Sequence, residues 1–333
     1  MAVRSFKVKI AGVGKYLPQR VITSTELENQ LQFPNGWVER VTGIRSRRYA
    51  GGETVTEMAA AAARDALAMA GLQPSDLDAI IGASASTQQA IPCTAAFVQR
   101  ALGAPVGKSM CFDVNTTCLG FVLALQNAAC LIETGIYQTI LIFSSEIGTY
   151  SRNQKQWESS VMFGDGAAAA VVTVARPDEA SAIWHSRLVT YSDGADLTRL
   201  VGGGTLHHPN DPATTPEMNM FEMDGTSVLK WAAELLPPFV KQFNQELGWT
   251  TQDYQQVIPH QASGQGLKLL TSHVGFSPQQ VFNHVQERGN CIAASIPLAL
   301  AEAVESEHVR RGDRLLLLGT SAGLSIGALA LTF

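Results

Sequence analysis

The chain reads as one pattern written twice, and this restricts its fold more than any other feature. Residues 71–81 and 248–258 share an opening glycine, an aspartate (Asp76, Asp253) and the apolar pair that follows, Ile80-Ile81 and Val257-Ile258. A helical pattern precedes each copy, over 56–70 and 225–247, and each leads into a short apolar strand. Farther on, residues 139–148 resemble 314–323, again with a helical run ahead of each, over 121–133 and 293–307. Uncharged strands alternating with helices predict α/β halves with buried strands. The seam falls over 174–181, where Arg176-Pro177-Asp178-Glu179 breaks the apolar pattern, giving halves 1–175 and 176–333. In such a duplicated fold, equivalent loops meet at one interface, so residues distant in sequence share a site at the strand carboxyl ends.

Three segments supply chemistry for that site. In Phe112-Asp113-Val114-Asn115-Thr116-Thr117-Cys118-Leu119-Gly120-Phe121 a strand runs into a cysteine and then an apolar helix. A cysteine at a helix N-terminus meets unpaired N–H groups, which lower its pKa and make it a nucleophile. The plainer reading is a small apolar residue in a core. The second segment is a strand ending in histidine, Val257-Ile258-Pro259-His260-Gln261-Ala262; the third is a turn opening a helix, Gly289-Asn290-Cys291-Ile292. Either residue alone reads as a loop or capping group, whereas with Cys118 they make a nucleophile with two hydrogen-bond donors. Cys291 reads as packing, and His185, His207, His208, His273, His284 and His308 carry no motif.

Composition removes other classes. With 333 residues, a net charge of -5, 46% hydrophobic and 16% charged residues, the chain has a large core and no basic footprint for nucleic acid. No signal peptide or membrane-length apolar run is read. The cysteines, five in number, lack the spacing of a disulfide framework or zinc site, and the cytoplasm is the expected compartment. Gly12-Val13-Gly14 lacks the third glycine of a dinucleotide fingerprint.

Together these segments resemble the β-ketoacyl-acyl-carrier-protein synthase III group of the thiolase-fold superfamily. The resemblance runs along the whole chain. It includes Trp37 with Thr42-Gly43-Ile44-Arg45, the Cys118 segment, Ser144-Ser145-Glu146, Phe163-Gly164-Asp165-Gly166, the His260 segment and Gly289-Asn290. It implies a five-layered α-β-α-β-α fold of two pseudo-symmetric halves, in a homodimer. It also implies a reaction in fatty acid or related specialised biosynthesis. Cys118 takes an acyl group from an acyl thioester, with the oxyanion held by backbone N–H groups of Cys118, Ala322 and Gly323. His260 and Asn290 then donate to the carbonyl of a malonyl thioester, expected on acyl carrier protein. Loss of carbon dioxide gives the carbanion that attacks the acyl group, so no metal or cofactor is expected beyond the coenzyme A or carrier-protein substrates.

Several positions depart from the group. Val41, Trp157 and Gln265 stand where arginines that contact coenzyme A or the carrier protein are usual, although Arg40 is adjacent to the first. Trp37 keeps an aromatic face for adenine, and Trp157 is a second candidate, so an acyl-carrier donor stands beside coenzyme A. Ser321-Ala322-Gly323 replaces a run of three glycines. Thr320 and Ile91 replace larger groups around the acyl pocket, which predicts an acyl chain longer than acetyl. Ile91 before Pro92 also replaces the glutamate of head-to-head condensing relatives. Two alternatives remain: an acyltransferase of the same fold serving an oxygen or nitrogen nucleophile, which Asn290 argues against, and a catalytically silent partner subunit.

Overall fold

The computed structural model describes residues 5–333. Two sheets carry the architecture. The first contains β1 (Val8–Tyr16), β2 (Ala79–Gly82), β3 (Met110–Asp113), β4 (Thr139–Glu146) and β5 (Gly166–Val174), in the order β1-β5-β4-β2-β3. The second contains β6 (Ala182–Thr190), β7 (Gln256–Pro259), β8 (Arg314–Ser321) and β9 (Ser325–Thr332), in the order β6-β9-β8-β7. The shared plan is two antiparallel pairings followed by a parallel one, β4 with β2 in the first sheet and β8 with β7 in the second. Where β3 extends the first sheet, the second shows a single parallel bridge between Val257 and Val281. The repeat read from 71–81 and 248–258 therefore has a structural counterpart in β2 and β7.

Alternation along the strands separates the layers, because successive side chains point to opposite faces. On β4, Ile140 and Ile142 join the central core, while Leu141 and Phe143 face outward to helix α1 (Val55–Ala70). On β8, Leu315 and Leu317 join the same central core, while Leu316 and Leu318 face outward to helix α3 (Gly225–Leu247), α2 being Gly120–Glu133. The central layer is α2 with α4 (Ser295–Glu305). The result is the expected order of five layers, α-β-α-β-α.

Local chemistry sets these elements. Thr54 and Glu57 close a capping box at the start of α1: the Thr54 hydroxyl accepts from the Glu57 N–H at 3.2 Å, and Glu57 Oε2 accepts from the Thr54 N–H at 2.8 Å. The alanine-rich face of α1 allows close approach to β1. A Cβ on Gly12 or Gly14 would lie 2.2 Å from the carbonyl oxygen of Ala66 or Ala62. Gly12-Val13-Gly14 is thus a packing feature. Among the described residues no helix is long and apolar enough to cross a membrane.

Candidate active site

Each central helix is entered through a tight turn, and these turns bring the two halves together. Thr117–Leu119 precedes α2 and holds Cys118; Ile292–Ala294 precedes α4 and follows Asn290. The turns pack against each other. Each contains a β-branched residue at positive φ, Thr117 at 48° and Ile292 at 50°. That backbone is costly for such residues and persists only where surrounding structure enforces it.

Asn290 is held by three hydrogen bonds from different directions. Its N–H donates to Met162 O at 2.8 Å, and its carbonyl accepts from Gly164 N at 3.0 Å. Its side-chain Oδ1 accepts from the Ile292 N–H at 2.9 Å. An N–H donor requires the amide oxygen on that side, so Nδ2 is the end left to donate. His260 follows β7, and its N–H donates to Leu318 O at 2.8 Å, tying it to β8. Burial holds its imidazole down to about 4, so the ring is neutral at physiological pH. Nδ1 is buried with no hydrogen-bond partner among the described residues. Gly319 faces it on β8; a Cβ there would stand 2.9 Å from His260 Cβ and 3.2 Å from Leu119 Cδ2.

Cys118 differs from its sequence expectation. Its thiol is pushed up to about 12, first by burial and then by the nearby Glu146 charge. The turn's own N–H and the Ser321 hydroxyl act in the opposite direction without prevailing. Glu146 ends the uncharged strand β4 and is fully buried; Ala85 N and Ser86 N donate to its oxygens at 2.7 and 2.9 Å. Burial raises it to about 7 against these hydrogen bonds and one from the Ala293 N–H. A carboxylate closing such a strand was the available sequence signal for it. The Ser321 hydroxyl, which donates to Thr116 O at 2.7 Å while contacting the thiol, had no such signal.

Two cavities flank this centre. The smaller, about 130 Å³, is lined by His260, Asn290, Gly319 and Thr320 and continues between the apolar side chains of Leu229 and Leu270. The larger, about 770 Å³, is lined by Thr117 and Ala322 together with Ser86, Ile147 and Phe221. Ser321, whose hydroxyl acts against the rise of the thiol, lies on β8 between Thr320 of one cavity and Ala322 of the other. Gly323 follows at φ 133°. The structure thus brings His260, Asn290 and Thr320 to one cavity, while Cys118 is joined to them through Ser321.

The remaining candidates lie elsewhere. Arg40, Val41 and Gln265 line a separate groove. Trp37 stacks on Phe33 at 4.6 Å between ring centroids and meets Trp157 edge-on at 5.4 Å; neither tryptophan lines the His260 cavity. Ile91 is 82% exposed. Cys291 is buried against Ala168, Ala294 and Leu298, a packing residue as expected.

Comparison with known proteins matches this geometry to a family. Residues 112–192 match the family described as 3-oxoacyl-[acyl-carrier-protein (ACP)] synthase III, and residues 245–333 match its C-terminal region. The chain is 34% identical to the β-ketoacyl-[acyl-carrier-protein] synthase III of Aquifex aeolicus, over 98% of this chain and 99% of that one. It is 35% identical to the Agrobacterium fabrum protein of the same name, over 97% and 98%. The crystal structure of the Aquifex aeolicus synthase superposes with a TM-score of 0.88 at 33% identity, covering 98% of this chain and 100% of that one. The priming β-ketosynthase of the R1128 polyketide pathway gives 0.90 at 30% identity, covering 100% and 98%. The chain belongs to the 3-oxoacyl-[acyl-carrier-protein] synthase III family.

Proposed function

We propose that this family member is a decarboxylating condensing enzyme that joins an acyl group to a malonyl unit, using Cys118, His260 and Asn290. The observation carrying the reading is the fixed amide of Asn290 beside a neutral His260 on one cavity. Both groups supply hydrogen-bond donors without supplying a strong acid, which suits an enolate that must not be protonated. An acid at position 290, as an acyltransferase would use, is absent.

In the first step Cys118 sulfur attacks the carbonyl of an acyl thioester. The thiol proton ends on the departing carrier sulfur, and the acyl group becomes a Cys118 thioester. N–H groups of Cys118, Ala322 and Gly323 are the assigned oxyanion donors. In the second step His260 Nε2 and Asn290 Nδ2 donate to the carbonyl oxygen of the malonyl thioester. The carboxylate leaves as carbon dioxide, its bonding pair forms the enolate, and the enolate carbon displaces Cys118 sulfur to give the β-ketoacyl product. Acyl carrier protein is the assigned malonyl carrier; the acyl donor is coenzyme A or a carrier protein, with Trp37, Arg40 and Trp157 assigned to its entrance. Thr320 and Ile91 are assigned to the surroundings of the acyl chain. No metal or redox group takes part.

We assign the nucleophile to a half spanning 1–175 and the two donors to a half spanning 176–333; the break between Val174 and Ala182 supports this. We also propose a cytoplasmic homodimer; the edge position of β3 and the exposure of Ile91 support the dimer. The test is release of carbon dioxide from a malonyl carrier after loading with acyl thioester. Asn290→Ala is expected to keep acylation and lose about 100-fold or more in carbon dioxide release. Equal release by wild type and Asn290→Ala would refute the assignment.

A further inference from the structure

Behind the cavity, a buried polar path connects the segment after His260 to the turn holding Asn290, and none of its side chains lines that cavity apart from Asn290 itself. Gln261, fully buried, donates through Nε2 to Pro259 O at 3.2 Å and Phe282 O at 2.9 Å. Its Oε1 accepts from the His284 N–H at 3.2 Å. The His284 ring pairs through Nδ1 with Glu302 Oε2 at 2.7 Å, and Arg288 Nε donates to the other oxygen, Oε1, at 2.8 Å. Arg288 is followed directly by Gly289 and Asn290. One carboxylate on α4 thus grips both ends of the segment 284–288. That segment is the only covalent approach to Asn290 from the His260 side, and α4 itself begins just after Asn290.

We propose that Glu302 is a positioning residue for the condensation step, holding Asn290 in register with His260 through His284 and Arg288. This rests on the proposed roles of His260 and Asn290. Glu302 and His284 are 9% and 8% exposed, so water does not compete strongly for these bonds. Burial alone would favour the neutral acid, but His284 and Arg288 outweigh it and hold Glu302 down to about 2, so both oxygens remain acceptors at working pH. Lys15 of β1 stands 3.9 Å from Oε1 and is engaged mainly by Glu305, leaving Glu302 to His284 and Arg288. Two donors must reach one carbonyl oxygen during decarboxylation, whereas acyl transfer to Cys118 uses donors on other elements. Loosening the path therefore affects one half-reaction selectively. A displacement on the order of 1 Å in such a pair costs about 100-fold in rate.

The test compares Glu302→Gln and the charge-neutral double variant Glu302→Gln/Arg288→Gln with wild type in the full-length protein. The double variant leaves no half-buried guanidinium without its partner, so it reports on position where the single variant folds poorly. Acylation of Cys118 is followed by intact mass, and carbon dioxide release from a malonyl carrier by rate and KM. The expected result is acylation within about twofold of wild type, condensation kcat lowered about 10- to 100-fold, and KM for the malonyl carrier nearly unchanged. Unchanged condensation, or equal loss in both half-reactions, would overturn the positioning role. Asn290→Ala is measured in parallel. Normal condensation by that variant would instead overturn the underlying site assignment, and with it this inference.

Discussion

A thiol held near 12 would make Cys118, in its proposed role, a guarded nucleophile. In the free protein it is protonated at neutral pH, and the thiolate forms as the acyl carbonyl arrives. Alkylation of Cys118 by iodoacetamide, mapped by peptide mass, should be slow at pH 7 and rise steadily into the alkaline range. A plateau below pH 8 would contradict this. His260 gives a second residue-scale prediction. Its folded value of about 4 lies below its ordinary 6.5, so the unfolded chain binds the proton more readily. The stability it contributes is fully present above pH 6.5 and is lost as pH falls toward 4, amounting to about 3 kcal/mol at most. Glu302 acts in a lower window, from its ordinary 4.5 down to about 2. His260→Gln should flatten the fall of Tm between pH 6.5 and 4, and parallel curves for the two proteins would refute it. Cys118, His260 and Asn290 stood out as candidates in the sequence because their types announce chemistry. The raised thiol was not legible, since it comes first from burial by the packed halves and then from Glu146, which arrives from another strand.

At the scale of elements, the site depends on the close approach of β8 to the strand ending in His260. Gly319→Ala places a methyl group 2.9 Å from His260 Cβ, with Leu119 behind it. Neither neighbour is the free end of a long flexible chain, so β8 or the His260 segment must move. The expected cost is about 1–3 kcal/mol in denaturant unfolding, with a larger proportional loss of condensation than of acylation. Wild-type stability and activity in Gly319→Ala would refute the close-packing account. The strands and long helices were readable from uncharged runs, periodicity and the repeat. The entrance turns were not: the helical pattern over 293–307 resolves into the turn Ile292–Ala294 and α4, Ser295–Glu305. Positive φ at Thr117 and Ile292 has no local sequence cause, because tertiary packing imposes it. His284 likewise carried no motif, since its partner Glu302 lies on a separate helix.

For the whole molecule, the duplication explains why the candidate residues Cys118 and Asn290 sit far apart in sequence yet close in space: equivalent helix entrances meet between the sheets. It also leaves β3 as an edge of the first sheet, with Met110 and Ile91 exposed. Light scattering after size exclusion should give twice the chain mass, and a monomer at micromolar concentration would contradict the homodimer. In the proposed reaction, acylation of Cys118 comes before decarboxylation of the malonyl unit. The most direct test of that order is intact-protein mass spectrometry of wild type and Cys118→Ala, incubated with acyl-coenzyme A and acyl-carrier thioesters of increasing length and then chased with malonyl carrier. Acyl mass is expected on wild type alone, stronger with chains longer than acetyl, and discharged by the chase as a β-ketoacyl product. Acylation that persists through the malonyl chase, or that survives in Cys118→Ala, would contradict it.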